Sequence, residues 1–165
     1  MGKTYFTIFG VVAIIAAFSS CFHSGSKEYL SLKNRLDSLE SNAYTPGFGE
    51  FMNTIEIHHA KLWFAGTDKN WPLAQYELDE MKETFDDLQK YVKGRPEVKE
   101  IPMIDPALKD LGQAIESKDV NRFKPAYITL TTTCNSCHLA TEHGFNVITI
   151  PSAPPVTDQQ FKRAK

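Results

Sequence analysis

Cys134 and Cys137 stand three apart and His138 follows the second cysteine directly, within the run Thr133-Cys134-Asn135-Ser136-Cys137-His138-Leu139. Cysteines three apart share one side of a helical turn. Both thiols can therefore form thioethers to the two vinyl groups along one porphyrin edge, while the adjacent imidazole reaches the iron, which is the attachment pattern of a c-type haem. The chain holds 3 Cys and 5 His in 165 residues, so chance alone places this pattern with a probability of about one in a thousand. A redox dithiol of the thioredoxin kind needs a strand and crossover around it, and residues 127–143 offer neither. A zinc site needs two further sulfur or imidazole ligands at close spacing, and only His143 is near. The pattern implies one covalent haem c, with Cys134 and Cys137 as its anchors and His138 as the proximal iron ligand.

The elements that position this motif can be read from periodicity. Residues 27–42 place Leu32, Leu36 and Leu39 on one face of an amphipathic helix, either a stalk or an extra packing helix, which Pro46-Gly47 breaks. Residues 50–65 repeat Phe51, Ile55, Leu62 and Ala65 at helical spacing, with Met52, His59 and Trp63 in an adjoining stripe and Gly66 as the expected terminator. An arc this wide suits a helix that covers a flat ring. Pro72 opens the next helix, in which Leu78, Met81, Phe85, Leu88 and Val92 form a heptad-like seam ended by Gly94 and Pro96. After a connector over 95–104, Asp105-Pro106 starts a short helix with Leu108, Leu111 and Ile115 inward. Asp119 caps the last helix, Pro125 is expected to delay its regular part to about Lys124, and Gly144 stops it. Tyr127, Thr131, Cys134 and His138 fall four apart on it and share a face.

These patterns predict an all-α protein: a four-helix up-down-up-down bundle over 48–144, preceded by the extra helix and followed by an extended tail over 145–165. Cofactor sites in such bundles lie between facing helices. The core is thin and haem would add a large apolar plate to it, so the haem-free chain is expected to be much less stable.

The first 20 residues read as a signal peptide: Lys3, then a run of 14 uncharged residues from Tyr5 to Phe18, too short to span a bilayer comfortably, then Ser19 and Ser20. Phe18-Ser19-Ser20-Cys21 resembles the lipobox of bacterial lipoproteins, with Phe18 where Leu is usual. The resemblance implies an acylated Cys21 at the mature N-terminus, a lipidated tether and helix over 21–47, and a membrane-anchored protein of the bacterial periplasm. Haem and lipid together would use every cysteine, leaving none for a disulfide. Loss of residues 1–20 removes Lys3 and no acid, leaving 17 basic against 20 acidic side chains, which argues against a nucleic-acid partner.

A haem motif on the last helix of a four-helix bundle resembles the class II cytochromes c, the cytochrome c prime group, over about residues 48–144. The chain departs from that pattern in carrying 27 residues beyond His138. Low-spin members of the class take their sixth ligand from a Met on the first bundle helix, and Met52 occupies the matching position. His59, seven residues on and on the same face, is the distal alternative. His58 points about 100° away from it. Of the other methionines, Met81 sits in a seam, Met103 in a connector and Met1 in the leader, and His143 follows His138 too closely to reach the opposite haem face. The stretch Lys61-Leu62-Trp63-Phe64-Ala65-Gly66 with Asn70-Trp71 is also similar to small haem lipoproteins, which implies no activity.

Axial ligation decides what such a protein does. With His138 and Met52 both bound, no site is free and the expectation is an electron carrier, not an enzyme, serving redox proteins in the periplasm. An open sixth position would instead bind or sense small gases, as in cytochrome c prime, while a peroxidase would need a distal His such as His59 with Glu56. Lys61, Arg122 and Lys124 are the cations nearest in sequence for the propionates, and class II relatives suggest a homodimer.

Overall fold

The computed structural model describes residues 27–40, 42, 44 and 46–163; the leader over 1–20, Cys21 and His23 lie outside the described residues. Among the described residues all regular structure is helical, so the protein is all-α. None of these helices is long and apolar enough to cross a membrane. The chain divides into two units, Met1–Tyr44 and Thr45–Lys165. In the first, residues 27–40 form α1, whose leucine row is exposed.

The second unit contains α2 (Phe48–Thr67), α3 (Trp71–Tyr91), a 3-10 helix (Pro96–Ile104), α4 (Asp105–Glu116) and α5 (Val120–Ala140). α2 begins where the Glu50 carboxylate accepts the Gly47 N–H at 2.8 Å, satisfying a donor that no helical carbonyl reaches. It does not end at Gly66. The helix runs on to Thr67, and the left-handed residue is Lys69 (φ 58). Lys69 N–H donates to Gly66 O (3.1 Å) and Asn70 N–H to Ala65 O (2.9 Å), the paired bonds of a Schellman ending. Gly66 is buried for another reason: a methyl there would collide with the ring of Phe123.

α5 closes the same way. Glu142 (φ 63) donates to Leu139 O and His143 to His138 O, so the helix stops at Ala140 and the expected stop at Gly144 is not used. At its other end Asp119 Oδ1 accepts Asn121 N–H at 2.8 Å, and the regular turns start at Val120, earlier than Pro125 suggests. The connector with Pro96 and Pro102 is a 3-10 helix that buries Ile101 and Ile104, a common form for short linking pieces.

α2 packs on α3, α3 on α4, α4 on α5, and α2 on α5, while the 3-10 helix touches α3, α4 and α5. The apolar seams meet in one core where Leu62, Leu78, Met81, Leu88, Leu111, Phe123, Tyr127 and Leu130 are fully buried. Residues 143–163 contain no helix or strand. This tail is pinned near its end by buried Phe161, 5.6 Å from Phe64 between ring centroids, with Asn70 Nδ2 donating to Phe161 O at 2.9 Å.

Candidate cofactor site

A cavity of about 350 Å³ brings Met52, Ile55 and His59 of α2 to face Cys134, Cys137 and His138 of α5. Its volume lies within the usual range of small-molecule sites, about 300–1,000 Å³. Phe85, Ile101 and Ile104 make further apolar walls, and Asn146 and Ile148 close it from the start of the tail.

The His138 ring is held by one hydrogen bond. Its Nδ1 lies 2.6 Å from Asn146 O. A carbonyl can only accept, so Nδ1 carries the proton and Nε2 keeps its lone pair. Metal-bound histidines are held in this way by an acceptor on the other ring nitrogen.

Cys134 and Cys137 are free, half-buried thiols. Burial pushes the Cys134 thiol up to about 12 and raises that of Cys137 as well. Both are protonated at neutral pH, the opposite of the depressed values that mark redox dithiols and thiolate metal sites. Among the described residues no group of three or more His, Cys, Asp or Glu side chains could hold a metal ion.

The remaining candidates sort by position. Met52 is half-buried on the cavity wall, Met81 is enclosed in the core, and Met103 is exposed outside the cavity. His59 lines the cavity, yet both its nitrogens are engaged. The Tyr127 hydroxyl, which donates to His59 O (2.7 Å), lies 3.0 Å from His59 Nδ1, and Nε2 lies 2.9 Å from Thr131 Oγ1, whose own proton goes to Tyr127 O (3.0 Å). To reach an iron His59 would have to give up Thr131. His58 turns away from the cavity and pairs through Nδ1 with Glu77 Oε2 at 2.7 Å.

His59 also makes a test of stability. Burial lowers its pKa from 6.5 to about 4. Between those values the unfolded chain holds more protons than the folded one, so the contribution is complete above about pH 6.5 and is lost as pH falls towards 4. The size is about 3 kcal/mol. Urea midpoints at pH 7 and pH 4.5 should show this loss in the wild-type chain, and His59→Gln should show a smaller one; equal slopes would refute it.

Lys61, Arg122 and Lys124 do not line the cavity. Arg95 does, the one Lys or Arg that does so among the described residues. Its guanidinium forks onto the nearly enclosed Glu97, with Nη2 at 2.6 Å from Oε1 and Nε at 3.3 Å from Oε2, and holds that carboxyl below its usual range. No periodic pattern marks Arg95, because a connector residue reaches the site only through the path of the chain. His143, whose Nδ1–H donates to Thr141 O at 2.6 Å, also lines the cavity.

The donor set fits a haem fixed on α5. Comparison with family models, curated proteins and solved structures returned no match for this chain.

Proposed function

We propose that residues 48–144 fold as an up-down-up-down four-helix bundle carrying one covalent haem c at Cys134 and Cys137, ligated by His138 and Met52, and that the protein is an electron carrier. The topology is supported by the short links between α2 and α3 and between α4 and α5, and by the additional packing of α2 on α5. The function rests on one observation: two free thiols, an imidazole whose Nδ1 is held by a carbonyl and a thioether on the facing helix converge on a single, mostly apolar cavity.

When bound, the haem supplies an iron couple that takes and gives one electron. The chain's own residues set the conditions. His138 offers Nε2 while Asn146 O holds the proton on Nδ1. Met52 offers a soft, neutral sulfur on the opposite wall, which favours the reduced state. Phe85, Ile101 and Ile104 present apolar walls to the site, which lessens the solvent that has to reorganise when charge changes. Arg95 is the cation placed to meet a propionate, in competition with Glu97.

In this reading Cys21 carries the lipid, the protein works at the periplasmic face of a membrane, and its partners are redox proteins. Expression in a bacterium that attaches haem outside its cytoplasmic membrane, followed by mass measurement of the denatured protein, tests it. The mass should exceed polypeptide plus lipid by one haem, and Cys134→Ser with Cys137→Ser should abolish the excess. Colourless denatured wild-type protein of bare polypeptide and lipid mass would end the proposal.

A further inference from the structure

We infer that Asn135, at a motif position the attachment chemistry leaves unconstrained, is a positioning residue that sets the ring of His138 through the backbone of residues 144–148. The inference concerns hydrogen bonds present in the chain itself; only its effect on an iron rests on the function proposed above.

The Asn135 carboxamide binds both main-chain groups of one residue. Its Nδ2 donates to Ile148 O at 2.8 Å, and Ile148 N–H donates to its Oδ1 at 2.8 Å. Paired bonds of this kind hold a peptide as a neighbouring strand would. Between Asn135 and Ile148 the chain reverses at Glu142, and Asn146 N–H donates to His143 O at 2.9 Å. That turn aims Asn146 O at His138 Nδ1, 2.6 Å away. Burial does little to hold the segment, because Phe145 is 83% and Val147 64% exposed. The Asn135 pair therefore seats it, and the Asn146 carbonyl follows. The segment is also part of the cavity wall, since Asn146 and Ile148 line it.

This gives the residues beyond His138 a task. An imidazole whose Nδ1–H is held by a carbonyl keeps one tautomer and one ring angle and is the more basic ligand. Without the clamp Nδ1 faces water and the tautomer is free to change. Asn135→Ala removes both bonds to Ile148. Ser136→Ala, beside it, removes only an exposed bond to Thr132 O and serves as the control.

Two measurements need no haem: the first is made on the haem-free chain, because an iron on Nε2 would fix the tautomer by itself, and the second on the chain with or without haem. Nitrogen-15 NMR of the His138 ring should show a single Nδ1-protonated tautomer in wild type and in Ser136→Ala, and loss of that single state in Asn135→Ala. Amide exchange at Ile148 should quicken about tenfold or more in Asn135→Ala alone. In haem-loaded protein the reduction potential should rise in the same variant, because a ring without an acceptor on Nδ1–H is the weaker donor to iron.

In the haem-free chain, an unchanged His138 tautomer together with unchanged Ile148 exchange in Asn135→Ala overturns the inference. A chain that takes up no haem but loses the tautomer in Asn135→Ala upholds the clamp and refutes the function. A loaded protein whose potential and Ile148 exchange ignore Asn135→Ala does the reverse.

Discussion

Replacing Met52 by alanine is expected to open the sixth position of the haem-loaded protein. The weak far-red ferric band that marks methionine ligation should vanish, carbon monoxide should bind where the wild type excludes it, and the reduction potential should fall. That fall would be an appreciable part of the roughly 0.8 V that axial ligands span. The expectation is large because no other methionine among the described residues can take the role: Met81 is enclosed between helices and Met103 lies outside the cavity. His59 is a poor substitute while Nε2 is held by Thr131 and Nδ1 by Tyr127. An unchanged spectrum in Met52→Ala removes Met52 from the site. Carbon monoxide binding to the wild type would favour the gas-binding role over electron transfer.

Phe123→Ala is expected to cost about 3–5 kcal/mol, a large share of the roughly 5–15 kcal/mol that holds a typical domain together. Phe123 has no exposed surface. Its ring centroid lies 6.3 Å from Trp63, 6.1 Å from Trp71 and 5.9 Å from Tyr127, and it fills the space over Gly66. Truncation would leave a cavity between α2, α3 and α5 that the surrounding rings are too rigid to close. Denaturant midpoints measure the loss. Ile128→Ala, on the same helix but 50% exposed, should change stability by less than about 1 kcal/mol. Equal effects at the two positions would show that Phe123 is not the hub its contacts describe.

The helices were legible because burial of an apolar stripe repeats along the chain. The seam Leu78, Met81, Phe85 and Leu88 is buried along α3, and Val92 at its C-cap continues it, as the spacing predicts. The inward faces at Leu108, Leu111 and Ile115 and at Tyr127 and Leu130 follow the same rule. Helix ends were less legible. Gly66 and Gly144 are the residue type most tolerant of left-handed backbone, but Lys69 and Glu142 occupy those positions. Packing of Gly66 under Phe123 decided the matter, and it depends on a residue 57 positions away in sequence.

By itself the sequence determined the local periodicities, hence an all-α chain, and the spacing of Cys134, Cys137 and His138, since both are matters of neighbours a few residues apart. Only the tertiary structure decided that Met52 and His59 share a cavity with that motif, that His59 has its nitrogens engaged by Tyr127 and Thr131, that Arg95 is the cation on the wall, and that Asn135 and Asn146 hold the ring of His138. Those pairings join residues that only chain reversal brings together, and no pattern of neighbours encodes the path by which the chain turns back.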